Sequence, residues 1–195
     1  MIDPGSFVRL EDAFEEVTFT PELQETFRDC WAPVSFKRGD LITEGGRVER
    51  YFYFVLEGVQ ALYLIDRKGD KVVLGFSYEG NFSGIYDSFL QGTPSDFFLE
   101  ALTGTRMLAI KLSQYQFLFE RYPEFNLWRK TFVENILFGR IRREVEILTK
   151  SADERYADFM RRCPEALKQI PQKYLASYLN MKPETFSRLR ASVDY

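Results

Sequence analysis

From about residue 33 to residue 112, the sequence is a series of short runs of β-branched and aromatic residues interrupted by glycine and aspartate. The runs recur every ~8–12 residues, a spacing typical of an antiparallel barrel or sandwich. In the segment RKGD, Gly69 stands where a tight hairpin turn requires a positive φ angle. Residues 83–92, SGIYDSFLQG, break the pattern and predict a short helix set inside the barrel.

Helices are predicted on both sides of this β-rich region. Thr20 and Pro21 are a suitable N-cap and first residue for one short helix, and Ser113 is a suitable N-cap for another, SQYQFLFERY. Pro123 precedes a long helix at about 124–149, in which apolar residues occur on too many sides for a single stripe.

Such a helix needs two partners. One can be the barrel, and the other is the same helix of a second subunit. The alternative is a helix that is fully buried within a monomer. The residues predicted at the dimer contact are Trp128, Phe132, Ile136, Ile141, Val145 and Leu148.

The sequence has no histidine and only two cysteines, Cys30 and Cys163. Without histidine it lacks the commonest general base and the commonest zinc or haem ligand, and two cysteines are too few for a four-cysteine iron–sulfur cluster. We therefore expect the protein to bind no cofactor and no metal and to have no enzymatic activity. An enzyme built on a jelly-roll barrel would usually hold a metal through several histidines, which this sequence lacks. The low cysteine content favours a reducing compartment, the cytoplasm.

The sequence gives no sign of a membrane protein. The acidic N-terminus lacks the apolar core of a signal peptide, and the most apolar window is interrupted by Glu57 and Gly58. Charge is distributed unevenly: residues 151–195 hold 8 basic and 6 acidic side chains, whereas the whole chain has a net charge of -3. The C-terminal segment is therefore the part suited to a polyanion.

The C-terminal segment begins with a capping box, in which Ser151 and Glu154 are three residues apart. It starts just after the long helix, so a hinge is predicted at 149–151, and Pro164 is predicted to end the new helix. The sequence then reads PQKYLASYLNMKPETFSRLRAS at 171–192, with basic residues in excess of the single acid, Glu184.

This segment matches the requirements of a helix-turn-helix. Leu175 and Leu179 share one face of a first helix, and Asn180 follows it where the turn requires a left-handed residue. The small Ala176 allows close approach of the two helices. Met181, Phe186 and Leu189 complete a small core, and the other side chains of the second helix face outward.

The outward residues suggest contacts with double-stranded DNA. Arg188 can donate two hydrogen bonds to guanine, and Glu184 can accept one from cytosine. The remaining polar residues suit phosphates. A dimer would read a two-fold operator. The full predicted DNA-binding set is Gln172, Lys173, Lys182, Pro183, Glu184, Thr185, Ser187, Arg188 and Arg190. Two alternatives remain: an ordinary helical hairpin with solvated charges, and a sensor module whose C-terminal helices bind a protein.

The sequence resembles the Crp/Fnr family of bacterial transcription regulators over nearly its whole length. The resemblance rests on KRGDLITEGG, on the spacing from Gly46 to Gly58 that includes YFYFVLEG, on the long linking helix, and on PETFSRLR. It implies an α+β fold in three parts. A jelly roll (double-stranded β-helix) of cyclic-nucleotide-binding type at 1–123 would be the effector domain, 124–150 a dimerisation helix and 151–195 a helix-turn-helix domain. It also implies RNA polymerase as a partner.

The effector site departs from the family pattern. Where cyclic-nucleotide-binding members have a glutamate for the ribose and an arginine for the phosphate, this sequence has Ile85 and Ser95, with Asp96 beside it. We therefore expect no binding of cAMP or cGMP of the usual kind. The predicted pocket consists of Phe82, Ser83, Gly84, Ile85, Tyr86, Ser95, Asp96 and Phe97. The barrel aromatics either fill the core or line a pocket for an unknown apolar or small organic effector; they are Phe52, Phe54, Phe76, Phe82, Tyr86, Phe89, Phe97 and Phe98.

The recognition helix departs from the family pattern as well. Pro183 stands where many relatives have an arginine that reads guanine, so altered or relaxed specificity is expected at that base pair. The sequence ends at Tyr195, soon after the second helix. We therefore expect the β-hairpin wing of many relatives to be missing, together with some phosphate contacts.

Overall fold

The computed structural model describes residues 4–162 and 169–192. Two short helices open the chain, and an eight-stranded β-sandwich follows that contains one short helix. Five further helices complete the described part. The helices are α1 (Pro4–Asp12), α2 (Pro21–Asp29), α3 (Tyr86–Gln91), α4 (Leu112–Arg121), α5 (Phe125–Thr149), α6 (Ala152–Arg162), α7 (Gln172–Tyr178) and α8 (Pro183–Ser192).

The sandwich consists of two four-stranded antiparallel sheets with the orders β1-β8-β3-β6 and β2-β7-β4-β5. This arrangement confirms the predicted jelly roll, because the short apolar runs form strands and the glycines form the turns between them. The strands are β1 (Trp31–Phe36), β2 (Leu41–Thr43), β3 (Tyr51–Glu57), β4 (Val59–Ile65), β5 (Lys71–Tyr78), β6 (Phe82–Ser83), β7 (Phe98–Ala101) and β8 (Thr105–Lys111).

Two turns show why glycine is required between these strands. Gly58 joins β3 to β4 at a φ of 93°, and a Cβ atom there would lie 2.4 Å from the carbonyl oxygen of Gly104. Gly69 has a φ of 88° in the β4–β5 hairpin, as predicted. The Asp66 carboxylate accepts hydrogen bonds from the backbone N–H groups of Lys68 and Asp70 and so fixes this hairpin.

Two large clusters contain most of the buried apolar side chains. One cluster packs the N-terminal helices, the first sheet, α4 and the start of α5 around aromatic rings such as Phe27, Phe125 and Trp128. The other packs the second sheet against α6, α7 and α8. The C-terminal helices are therefore docked on the sandwich in this structure.

The helix α5 buries only its first turns, where Phe125 and Trp128 enter the core of their own chain. Further along, its apolar side chains are exposed: Val133, Ile136, Leu137, Phe138, Ile141, Val145 and Leu148. The alternative of a helix that is fully buried within a monomer is therefore wrong. Of the predicted contact residues, Trp128 packs within its own chain and Phe132 is partly buried against the same core.

The helix ends follow the predicted signals at two of three sites. The Thr20 hydroxyl accepts a hydrogen bond from Leu23 N, and Ser151 and Glu154 form both bonds of a capping box. The predicted cap at Ser113 is wrong. Strand β8 continues directly into α4, so Lys111 occupies the N-cap without a side-chain bond. Cys163 and the predicted helix end at Pro164 lie outside the described residues.

Within the described ranges, no helix is both long enough and apolar enough to cross a bilayer.

Candidate nucleic-acid interface and effector cavity

The helices α7 and α8 are joined by a tight turn at Asn180, which has a φ of 51° and is the one positive-φ residue other than glycine in the described chain. Asparagine tolerates this conformation better than most residues, which confirms the prediction for this position. The backbone N–H of Met181 donates to Ala176 O at 3.0 Å. From α6, the Arg155 guanidinium donates to Leu179 O at 2.9 Å and Asn180 O at 3.1 Å, so the turn is held from both sides.

The predicted small core of the helix pair is also present. Leu175, Ala176, Leu179 and Phe186 are each at most 5% exposed. The ring of Tyr156 from α6 meets the edge of the Phe186 ring at a centroid distance of 5.4 Å. These contacts fix the orientation of α8, because Phe186 faces inward near the middle of the helix. We call α6, α7 and α8 together the head.

The predicted DNA-binding residues lie on the outer surface of the head. Thr185 is partly buried. The other eight side chains are exposed: Gln172, Lys173, Lys182, Pro183, Glu184, Ser187, Arg188 and Arg190. Five of these eight residues belong to α8, the helix that would make contacts in a DNA groove.

Sequence reasoning missed the way the head docks on the sandwich. Strand β5 is at the edge of its sheet, and α7 lies along it. The Ser177 hydroxyl accepts a hydrogen bond from Val73 N at 2.9 Å and donates one to Lys71 O at 2.8 Å. One serine thus satisfies two backbone groups of an open sheet edge.

A polar cluster next to this contact joins the head to the sandwich. Tyr174 OH donates to the Glu100 carboxylate at 2.9 Å, and Lys71 Nζ lies 2.5 Å from the same carboxylate. Burial of the Glu100 carboxyl acts to raise its pKa, but the hydrogen bonds from Lys71 and Tyr174 outweigh this effect and the pKa is lowered. No sequence signal linked these three residues, which lie far apart in the chain.

The lowered pKa of Glu100 predicts a loss of stability in acid. The ionised carboxylate stabilises the docked head above its ordinary pKa of 4.5, and this contribution disappears as the pH falls through the lowered folded value. Between about pH 5 and pH 3, wild type should therefore lose more stability than Glu100→Gln. Urea unfolding at a series of pH values measures the difference, and parallel curves for the two proteins would contradict this role of Glu100.

A basic cleft of about 740 Å³ lies between the β4–β5 hairpin and the head. Four lysines line it, two from the hairpin and two from the head: Lys68, Lys71, Lys173 and Lys182. Asp70 is the single acidic residue of its lining among the described residues. The hairpin therefore adds positive charge beside the N-terminus of α8.

A second cavity of about 600 Å³ lies between the sandwich and α5. Six of the eight residues predicted for the effector pocket line it: Phe82, Ser83, Gly84, Ile85, Tyr86 and Phe97. Ser95 and Asp96 are not part of this lining. The backbone of Ser95 pairs with Arg47 instead, and Asp96 is exposed. Of the predicted barrel aromatics, Phe52, Phe54 and Phe89 fill the core, whereas Phe76 lines the cavity.

One wall of this cavity was not predicted. The helix α5 contributes Asn135, Ile136, Gly139, Arg140 and Arg143, and α7 contributes Tyr178. The sequence predicts only a dimer contact for this stretch of α5. Its arginines at 140 and 143 are three residues apart and therefore share one side of the helix.

Behind the cavity, a buried carboxylate orders the segment that leads into α3. Glu49 is 3% exposed and accepts hydrogen bonds from Thr43 Oγ1 at 2.6 Å and from Ile85 N at 3.4 Å. Burial raises the pKa of this carboxyl, and the hydrogen bonds oppose the shift. The segment Gly84–Ile85 is thus held by an interaction that no sequence motif indicated.

Comparisons with known proteins agree with this architecture. Residues 33–122 match the family model of the cyclic nucleotide-binding domain. No curated protein sequence matches the chain. Among solved structures, FixK2 from Bradyrhizobium japonicum has 17% sequence identity and a TM-score of 0.74, with 83% of each chain covered.

Two further structures have the same fold. CLP from Xanthomonas campestris, described as a c-di-GMP responsive global regulator, has 15% identity and a TM-score of 0.67, covering 86% of this chain and 88% of its own. A CooA mutant from Carboxydothermus hydrogenoformans has 13% identity and a TM-score of 0.68, covering 98% of this chain and 85% of its own. The resemblance seen in the sequence is confirmed: residues 33–122 match the model of the cyclic nucleotide-binding domain, and the described chain has the fold of Crp/Fnr family structures.

Proposed function

We propose that the protein is a dimeric, sequence-specific DNA-binding transcription regulator without enzymatic activity, whose effector is not a cyclic nucleotide. The observation that carries this proposal is the geometry of α8. Phe186 anchors the helix from inside, and Glu184, Ser187, Arg188 and Arg190 are left exposed on the outside. A polar, exposed helix face on a packed helix-turn-helix is suited to a major groove.

The individual contacts follow from the chemistry of the groove. Arg188 would donate two hydrogen bonds to guanine O6 and N7, and Glu184 would accept one from cytosine N4. Lys173, Lys182 and Arg190 would contact phosphates. The basic cleft next to α8 supports this role, because Lys68 of the β4–β5 hairpin places further positive charge where a DNA strand would pass. From the operator, the regulator would act on RNA polymerase.

The exposed stripe on α5 supports a homodimer. Phe138, Ile141, Val145 and Leu148 are spaced by three, four and three residues, which is the a/d pattern of a two-stranded coiled coil. Each of these side chains is at least 48% exposed in the single chain. Pairing along a two-fold axis would bury the stripe and place two heads on one DNA site.

Arg188→Ala tests the base-reading role. The variant should lose about 1–3 kcal/mol of binding free energy on the preferred site and almost none on unrelated DNA. Lys182→Ala is the matched control, because removing a phosphate contact should weaken binding to all sequences alike. Fluorescence anisotropy with a selected site and a scrambled site measures both effects. An equal loss for Arg188→Ala on both DNAs would contradict the assignment.

Cyclic nucleotides should not stabilise the protein. The residue expected to pair with the cyclic phosphate is Ser95, which pairs with Arg47 through the backbone and stands beside Asp96. A ligand at 100 times its dissociation constant stabilises a fold by about 2.7 kcal/mol, or roughly 5–11 °C for a chain of this size. Thermal unfolding with cAMP and cGMP should show no such shift, and a clear rise in Tm would contradict this part of the proposal.

A further inference from the structure

Arg143 on α5 lines the cavity and contacts both the sandwich and the head. Its Nη2 donates to Val73 O on β5 at 3.1 Å and to Tyr178 O at the end of α7 at 2.9 Å. Its guanidinium also lies over the Tyr178 ring, 4.7 Å from the centroid. Arg143 therefore ties the linking helix, the effector domain and the head together at one point.

The positive charge of Arg143 has no counter-ion among the described residues. Burial of the guanidinium lowers its pKa and the nearby Arg140 lowers it further, whereas Tyr178 acts in the opposite direction; no carboxylate contributes. Its Nε–H group is buried and has no hydrogen-bond partner in the described part of the chain. A buried donor on a charged group is costly to leave unpaired, so this atom indicates an acceptor that joins the site from outside.

The residues around Arg143 indicate which kind of molecule carries this acceptor. Arg140 is the second arginine of the cavity, and apolar side chains form most of the remaining wall, among them Leu62, Leu74, Phe76 and Ile136. A volume of about 600 Å³ is within the range of small-molecule sites. The one acidic residue of the lining, Asp87, is exposed.

We infer that this cavity binds a small organic carboxylate with an aromatic or aliphatic body, and that Arg143 holds the carboxylate. The inference rests on the proposed function, because it names the effector class of the same regulator. The Nε–H and one Nη2–H of an arginine form the edge that grips a carboxylate with two parallel hydrogen bonds. The apolar body then occupies the space between the aromatic wall and α5.

This mode of binding affects the head. Both hydrogens of Nη2 are already used by Val73 O and Tyr178 O. Because Nε is buried, a carboxylate that binds Nε and Nη2 has to displace one of the two carbonyls, which uncovers Nε and breaks the bond of that carbonyl. Binding thus weakens the contact between β5 and α7. The affinity of the protein for the effector therefore differs between the state with a docked head and the state with a released head, as a conformational switch requires.

The test uses thermal unfolding of the full-length, DNA-free protein with benzoate, phenylacetate and octanoate, each paired with its neutral amide. At least one carboxylate should raise Tm by roughly 5–11 °C at 100 times its dissociation constant, and its amide should not. Inorganic phosphate and cAMP serve as other oxyanions. A shift with phosphate or cAMP and none with the carboxylates, or silence for all three carboxylates, overturns the inference.

Two variants locate the binding to Arg143. Arg143→Lys keeps the charge but not the paired bonds and should bind the active carboxylate at least tenfold more weakly, a change of about 1.4 kcal/mol. Arg142→Lys is the matched control and should bind like wild type, because Arg142 is exposed on the same helix and is not part of the cavity lining. Equal affinities for wild type and Arg143→Lys would overturn the assignment of the site.

Hydrogen exchange tests the link to the head. The Val73 N–H donates to the Ser177 hydroxyl of α7, so its exchange should become faster when the carboxylate is bound. Unchanged or slower exchange would overturn the link. All three measurements are made without DNA, so a failure here leaves the Arg188 test of DNA binding unaffected, and a failure of that test leaves carboxylate binding intact.

Discussion

Val145→Glu is expected to convert the dimer to a monomer and to lower affinity for a two-fold DNA site by about a thousandfold or more. In the proposed dimer, Val145 lies at an a position, so the two substituted carboxylates would meet each other in an apolar interface. An unpaired buried charge costs several kcal/mol. A monomer has one head and half of the phosphate contacts, so its binding should fall towards the nonspecific level, which is typically about 10³–10⁷-fold weaker than specific binding.

Val8→Glu is the matched control, since Val8 on α1 is 49% exposed and Val145 is 50% exposed. The same chemical change outside the stripe should leave the dimer and its DNA affinity unchanged. Sedimentation equilibrium gives the mass, and anisotropy at several salt concentrations gives the affinity and the number of phosphate contacts. If Val145→Glu remains dimeric, or if Val8→Glu dissociates equally, the stripe on α5 is not the interface.

The parts of the fold that could be predicted are those fixed by local chemistry. Asn180 occupies the left-handed turn because the two helices of the head require that conformation there, and the sequence offers asparagine in place of glycine. The Ser151–Glu154 box starts α6 because both bonds form between residues three apart. Such signals depend only on residues that are close in sequence, so the local structure that they predict is also found in the folded chain.

The parts that could not be predicted depend on long-range packing. Ser113 looks like an N-cap in isolation, but β8 carries the chain into α4 two residues earlier. The helical pattern predicts that Trp128 lies at the dimer contact, but its side chain packs in the aromatic core of its own chain. In both cases a contact between distant segments decides between two locally acceptable outcomes.

The candidate sites show the same division. The outer face of α8 could be read from helical periodicity once Phe186 was placed inside. Arg143 could not, because its partners are backbone carbonyls at positions 73 and 178, and carbonyl acceptors leave no pattern in a sequence. The hydrogen bonds from Ser177 to β5 could not be predicted either, because any serine has the same hydroxyl group.

The docking of the head also bears on the predicted hinge at 149–151. Lys150 is extended between α5 and α6, and its amine pairs with Asp158 at 2.5 Å. Arg162 pairs with Glu146 at 2.9 Å across the same junction. Rotation of the head about this point would have to break these partly buried ion pairs together with the contacts along β5, which include Arg143.

Phe186→Ala is expected to unfold the head selectively and to lower its stability by about 3–5 kcal/mol. The side chain is 1% exposed and is surrounded by Tyr156, Leu175 and other members of the cluster that joins the head to the second sheet. Removing the ring deletes its apolar burial and leaves a cavity that the short helices can close only in part. DNA binding should be lost, because α8 is no longer held in place.

The two tryptophans make this prediction measurable. Trp31 and Trp128 both belong to the N-terminal aromatic cluster, so tryptophan fluorescence reports on the sandwich, whereas far-UV circular dichroism reports on all helices. In wild type, the two signals should change at the same urea concentration, because the head packs into the second sheet. In Phe186→Ala, the circular dichroism transition should begin well before the fluorescence transition. Ser187→Ala, an exposed neighbour, should behave like wild type, and coincident, unshifted transitions in Phe186→Ala would show that the head does not depend on this ring.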